Sequence, residues 1–243
     1  MSALSPILST LVSATSTEDL VTARAWAREL WGESHPAQFF LSPIRFVRGE
    51  RVDDSMSLTL SGEQCYGLGF GVAPPVNSEW TRCSIDQSRF GPNLGRLVAN
   101  DRWDFYSVDV SHADFGDRAL VLDDDAVITR ILSEHAPHSQ VWPGNKEIVN
   151  WYGVQDGDGQ WASLGALVRW ESGCLVISSV VTVSDMRGQG FAQLLTRGIV
   201  GEARRLGAQW LGLGVAHDNL AAQHTYEHSG FFCRANFTSY ALL

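Results

Sequence analysis

The spacing of apolar positions changes period several times along this 243-residue chain, and each change predicts an element. Thr17–Leu30 carries Leu20, Ala23, Ala27 and Leu30 on one stripe, with Glu18 and Asp19 in the expected first turn. Gly32 then ends the predicted helix. Ile44–Val47 and Met56–Leu60 read as strands separated by the polar turn Gly49–Asp54. Tyr66–Gly71 has glycine at every second position. Pro74-Pro75 follows instead of a helix, so the expectation is a glycine-rich strand or bulge rather than a nucleotide loop. Trp80–Asn100 is rich in turn residues, and Trp103–Val110 returns to strand-like alternation.

Ser111–Asp117, small and polar, is the expected boundary. Before it, residues 1–112 form a mixed helix-and-strand region with no readable chemical motif. Beyond it, Ala119–Leu122 predicts a short strand, and Asp123-Asp124-Asp125 caps a helix to about His135. Val149–Val154, Trp161–Trp170 and Cys174–Val183 predict strands joined by turn chemistry at Gln155–Gly159 and Ser172-Gly173, as in antiparallel hairpins. From Phe191, apolar residues at Leu194, Leu195, Ile199, Ala203 and Leu206 recur every three or four positions until Gly207. Trp210–Val215 is a further apolar strand, and Asp218-Asn219 caps a last helix that closes at Gly230-Phe231. The fold class expected of residues 118–243 is α+β.

Composition narrows the function classes. A hydrophobic fraction of 44% and a charged fraction of 19% describe a globular chain. The net charge of −9 weighs against nucleic acid as a partner and suits a basic amine. No apolar run has the ~20 residues of a membrane span. The N-terminal stretch lacks the positive flank of a signal peptide, so the expected location is cytoplasmic. Cys65, Cys83, Cys174 and Cys233 show no C-x-x-C spacing and are expected as four buried, reduced thiols.

The chemistry lies where the strand Leu175–Val183 meets its helix. Arg187, Gly188, Gln189, Gly190, Phe191 and Ala192 open that helix. Glycines there let backbone approach a ligand closely, and the unpaired N–H groups with the helix dipole favour a phosphate. A plain strand-to-helix connection with a tight turn is the alternative. Downstream, Asn219, Ala222, Tyr226, Gly230 and Phe231 fall at fixed intervals on and after the last helix.

Together these two segments resemble the GNAT superfamily of acyl-CoA-dependent N-acyltransferases. The first signature, Gln or Arg, two residues, Gly, one residue, Gly or Ala, is met by Arg187, Gly190 and Ala192. The second, Asn-x-x-Ala-x-x-x-Tyr-x-x-x-Gly-Phe, is met by Asn219, Ala222, Tyr226, Gly230 and Phe231. The resemblance covers roughly Arg118–Leu243 and implies a mostly antiparallel, GNAT-like sheet flanked by helices. Residues 1–112 would suit a degenerate copy of the same fold, although no signature survives there.

What the resemblance implies is an N-acyltransferase, acetyl-CoA or another acyl-CoA as co-substrate, no metal, and a small-molecule or protein amine as acceptor. Backbone groups of Gly188 to Ala192 would cradle the pyrophosphate, with Arg187 adding charge. Val180, Val181 and Thr182 would hold the pantetheine arm and supply an oxyanion N–H. Tyr226 would protonate the departing thiolate, and Asn219 would either orient the cofactor or cap its helix. Some relatives place a glutamate base five residues before the asparagine, and here that position is Gly214. His138, Ser139, Glu171 and His217 remain as base candidates. His224 and His228 have metal-pair spacing, but no third ligand is placed near them, so an exposed helix face is the expectation. The rival expectation is a non-catalytic acyl-CoA-binding or sensing module.

Overall fold

Strand register decides the architecture of this chain. A computed structural model describes residues 14–86, 97–113, 116 and 119–242. Part of the turn-rich Trp80–Asn100 stretch and part of the expected boundary at Ser111–Asp117 lie outside the described residues. The elements before that boundary are β1 (Thr15–Thr17), α1 (Leu20–Trp31), α2 (Pro36–Phe40), β2 (Phe46–Val52), β3 (Ser55–Leu60), β4 (Tyr66–Phe70), β5 (Arg82–Asp86) and β6 (Leu97–Asp109). After it come β7 (Leu120–Val121), α3 (Asp125–His135), β8 (Ile148–Gln155), β9 (Trp161–Arg169), β10 (Leu175–Thr182), α4 (Phe191–Arg205), β11 (Trp210–Ala216), α5 (Leu220–Glu227) and β12 (Phe232–Leu242).

The twelve strands of the described residues join one sheet in the order β1-β2-β3-β4-β5-β12-β6-β11-β10-β9-β8-β7. Pairing is antiparallel except for β4 with β5 and β10 with β11. The order reads alike from either end once β1 is matched with β7, β2 with β8, and so on to β6 with β12. β6 is hydrogen-bonded to β11 on one edge and β12 on the other. The sheet therefore runs across the boundary expected after residue 112.

Alternate residues feed two layers. On one face β10 and β11 send Leu175, Ile177, Leu211 and Leu213 against Leu195, Ile199, Val200 and Ala203 of α4 and Tyr226 of α5. On the other, Val176, Val181 and Phe105 pack with Phe39 of α2 and Ile128 and Leu132 of α3. Each such fully buried side chain contributes about 1.5–3 kcal/mol relative to exposure. Gly198 lets α4 approach closely, since a Cβ there would lie 2.2 Å from that of Ala119.

Several sequence expectations shift by a few residues for local reasons. Asp19 does not sit inside α1 but caps it, its carboxylate accepting the N–H groups of Val21 and Thr22. β2 continues through Gly49 to Val52, and the turn is made at Asp53, with φ 50°, and Asp54. β5 occupies a stretch read as turn. The thiols are all free, but only Cys83 is buried, and Cys233 is exposed.

Candidate active site

β10 and β11 are held together for three residue pairs, Leu175–Ile177 against Leu211–Leu213, and then separate. The cause lies in β10. Its ladder with β9 shifts register between Ser178 and Val181, so Ser179 and Val180 share the space opposite Gly165. Gly165 is suited to that crowding, because a Cβ on it would meet Val180 Cγ2 at 3.2 Å. Ser179 adopts φ 53°, a left-handed conformation uncommon for a residue with a side chain. Its hydroxyl is tied to the loop after α3 by two bonds, from Val141 N–H at 3.0 Å and to the Val141 carbonyl at 2.9 Å. Neither Ser179 nor Val141 was signalled by the sequence pattern.

The split opens toward the glycine turn. A single 3-10 turn at Ser184–Met186 precedes Arg187, and Gly188 and Gly190 take φ of 75° and 83°. Gly190 is the N-cap of α4, and no side chain caps that helix. Among the described residues, the backbone N–H groups from Gly188 to Ala192 donate no hydrogen bond. A Cβ at Gly188 or Gly190 would meet nothing within 4 Å, so the space over the turn is open. Exposed, convergent N–H donors at a helix start are a site for an anion such as a pyrophosphate. The residues present therefore fit the phosphate part of an acyl-CoA.

The other named residues take these places. Val181 and Thr182 have rejoined the β9 ladder, paired with Leu164 and Ser163, and Ser163 Oγ donates to the Val181 carbonyl at 2.8 Å. Arg187 is exposed, and its guanidinium donates to the carbonyls of Thr182 at 3.3 Å and His135 at 3.4 Å. Gln189 Nε2 reaches the Asp185 carbonyl at 3.3 Å, and Phe191 and Ala192 begin α4 half-buried. Asn219 Oδ1 accepts the Ala222 N–H at 3.1 Å, so in this conformation it caps α5.

Tyr226 lies buried in the apolar layer with Val180, Phe191 and Leu195. Burial pushes its pKa up to about 12. It thus holds its proton throughout the neutral range. Full transfer of that proton to a thiolate of reference pKa about 8.5 is uphill, so hydrogen-bond donation to a developing thiolate is the action the group is suited to.

Among the base candidates, His138 is exposed, and Ser139 is engaged through its backbone, its carbonyl accepting from Trp142 Nε1 at 2.9 Å. Glu171 accepts from Ser42 Oγ at 3.2 Å. His217 pairs with Asp104 of β6, Nδ1 lying 3.1 and 3.0 Å from the two carboxylate oxygens. Asp104 was not singled out from the sequence. Its signal was a carboxylate within an otherwise apolar and small-polar run, Asp104–Val108, that is buried on both faces of β6. The position of the missing glutamate, Gly214, is exposed, with Trp103 at 3.6 Å from where its Cβ would stand. His224 and His228 lie ring against ring at 3.9 Å on an exposed face. Among the described residues no cluster of three His, Cys, Asp or Glu is arranged to hold a metal ion.

The matching parallel pair in the first half, β4 with β5, is built differently. It stays paired through four positions, from Tyr66/Arg82 to Gly69/Ile85, and its eleven-residue connection, 71–81, contains no helix. Trp80, 1% exposed, fills the space over Gly67, where a Cβ would lie 2.0 Å from the indole.

A parallel strand pair that parts above an uncapped, glycine-led helix start defines an acyltransferase-type α+β protein. A family comparison agrees. Residues 97–231 match the model described as the acetyltransferase (GNAT) family, and the chain belongs to that family. The match begins at β6, which completes the second half of the sheet. Solved structures show the same fold. A GCN5-related N-acetyltransferase from Kribbella flavida is 16% identical with a TM-score of 0.54, covering 91% of this chain and 95% of that one. A GNAT-family acetyltransferase from Colwellia psychrerythraea is 12% identical, TM-score 0.51, with 95% and 100% covered. A putative GNAT-family acetyltransferase from Novosphingobium aromaticivorans is 21% identical, TM-score 0.51, with 67% and 74% covered. The search of curated proteins returned no match.

Proposed function

We propose that this chain is an N-acyltransferase that moves an acyl group, acetyl in the first instance, from acyl-CoA to an amine by direct attack on the thioester. The observation that carries the reading is the parting of β10 from β11 beyond Ile177 and Leu213, on the strand that leads into the turn with the unbonded N–H groups of Gly188–Ala192. On this reading the N–H groups hold the pyrophosphate, and Arg187 adds charge beside it. The pantetheine lies along Val180–Thr182, and a backbone N–H of the bulge, with Val180 foremost, receives the oxyanion. Tyr226 steadies the departing sulfur. Measuring thiol release from acetyl-CoA across a panel of amines, with CoA binding measured in parallel, tests the reading. Tight CoA binding without release for any amine would favour a binding or sensing module instead, a reading supported by Gly214 standing where some relatives carry glutamate.

The acceptor is a small-molecule or protein amine, which the net charge of −9 favours in its cationic form. Neither nucleic acid nor membrane is a partner on this reading. Among the described residues no helix is long and apolar enough to cross a membrane, and we place the protein in the cytoplasm. The first half we read as a copy of the same fold whose cleft has been filled. The mirrored strand order and the Trp80 plug support that reading.

A further inference from the structure

β6 carries a carboxylate into the layer beneath α5. Asp104 is 2% exposed, and its oxygens face His217 Nδ1 at 3.1 and 3.0 Å, Gln223 Nε2 at 3.1 Å and Asn236 Nδ2 at 2.7 Å. Donors on this scale are what a buried carboxylate requires to stay ionised. They come from three places: the residue after β11, helix α5 and strand β12. Gln223 Nε2 also donates to the carbonyls of Ala216 and His217, at 3.4 and 2.8 Å, and the His217 N–H donates to the Arg102 carbonyl at 3.0 Å. Both the peptide and the ring of His217 are thereby fixed.

The ring is not buried with its partner. The His217 side chain is 40% exposed, and its Nε2 has no partner among the described residues. An ionised carboxylate only accepts, so the proton of the neutral imidazole sits on Nδ1 and the Nε2 lone pair points outward. His217 directly follows Gly214–Ala216, the part of β11 that β10 has left, and precedes Asn219, the cap of α5, by two residues. The residue therefore follows directly on the stretch of β11 that borders the split.

We propose that His217 is the general base that deprotonates the acceptor amine and that Asp104 is its positioning residue, an inference that rests on the acyl-transfer reading above. Nε2 takes one proton from the ammonium group. The freed nitrogen lone pair forms the C–N bond as the C–S bond breaks, and the sulfur leaves with the electron pair. The second proton of the attacking nitrogen ends on the sulfur, and the imidazolium, stabilised by Asp104, returns its proton to water. The products are amide, free thiol and one proton. This supplies the base whose family position is Gly214, and it does so with a carboxylate from the strand that the first half contributes.

The ionisable side chains near the pair include Arg102, Tyr106, Cys233, Asp86, Glu227 and Asp218. Burial pushes the Tyr106 hydroxyl and the Cys233 thiol upward.

The test uses the full chain with acetyl-CoA and an amine that it turns over. kcat/KM is measured against pH for wild type, His217→Gln and Asp104→Asn, with His224→Gln as control and CoA affinity measured for each. Wild type and the control should lose kcat/KM toward acid pH, the limb expected of a catalytic base. His217→Gln should lower kcat/KM at neutral pH about 10²-fold or more and abolish that limb, with CoA affinity unchanged. Asp104→Asn should cost at least about 10-fold, because it no longer selects the productive tautomer. Nitrogen-15 spectra of the imidazoles give a readout free of turnover, with the His217 proton on Nδ1 in wild type and not so held in Asp104→Asn. A folded His217→Gln protein with the wild-type rate and limb, or a wild-type proton on Nε2, would overturn the proposal. A wild-type chain that binds CoA but releases no thiol would overturn the acyl-transfer reading and the base role together. The tautomer would still report whether Asp104 positions the ring.

Discussion

The Ser179 side chain and the Val141 main chain exchange two hydrogen bonds, and by doing so hold the β10 bulge against the loop after α3. Ser179 pays for its place with a φ of 53°, a conformation that costs an L-residue about 1–2 kcal/mol. The clamp keeps the bulge shape that parts β10 from β11. Ser179→Ala is expected to lower stability by about 1–2 kcal/mol. It should also lower kcat about 10-fold through mispositioning of the thioester, with CoA affinity nearly unchanged. Denaturant melts and steady-state kinetics decide this, and an unaltered kcat would detach the bulge from catalysis.

Gly190→Glu should leave the protein folded and abolish measurable CoA binding. The position is open, so the side chain meets no wall, but it brings negative charge to the N–H groups proposed for the pyrophosphate. The φ of 83° adds a modest strain, which Gly190→Ala reports by itself. Calorimetry with CoA on both variants separates strain from charge. Equal affinity in wild type and Gly190→Glu would remove the phosphate reading.

Tyr226→Phe keeps the ring and deletes the hydroxyl. With CoA affinity little changed, kcat is expected to fall about 10–10³-fold if the hydroxyl steadies the leaving sulfur. The raised pKa also has a stability consequence. The unfolded chain loses this proton near pH 10, whereas the folded chain holds it to about 12, so the contribution is intact below pH 10 and is lost as pH rises through that window. Melting temperatures of Tyr226→Phe should therefore fall less steeply than wild type between pH 10 and about 12. Wild-type turnover in the folded variant would end the catalytic assignment.

His35 sets the acid side. It is 7% exposed, stacked on Trp31 at 4.4 Å, and its Nδ1 accepts the Ala37 N–H. Burial foremost, with the Arg234 charge second, lowers its pKa to about 3. The fold holds the neutral ring, while the unfolded chain gains a proton near pH 6.5. Its contribution is thus present above about 6.5 and is lost as pH falls toward 3. Denaturant midpoints should drop across that range, and His35→Phe should flatten the drop. An equally steep decline in the variant would assign acid lability to other groups.

A fragment beginning at Arg118 lacks β6, the strand that lies between β11 and β12 and carries Asp104. Its removal leaves both neighbours with unpaired edges. The fragment is expected to be insoluble or blind to CoA, whereas co-expressing residues 1–117 should restore soluble material. A soluble fragment with full CoA affinity would show that the second half stands alone.

Local chemistry was legible from residues alone. Apolar periodicity located α4, β10, β11 and α5 to within about two residues, because each combines a clear period with a turn or cap at its end. The glycine turn announced its own geometry, since glycine takes the positive φ at 188 and 190 without the steric cost of a side chain. Those features depend on neighbours in sequence. What depends on partners far apart in the chain was settled only in three dimensions. Nothing in Trp103–Val110 says that this strand inserts between β11 and β12, because the backbone hydrogen bonds that join strands are common to every sequence and do not name a partner. The pairing of Asp104 with His217 spans 113 residues and exists only because β6 lies beside β11. Likewise Ser179 looked like one more polar strand residue until the β9 register placed it in a bulge facing Val141. Sequence by itself determined most of the elements and the glycine turn before α4, and tertiary structure decided which side chains meet there, because contact between distant residues follows from sheet order and not from spacing along the chain.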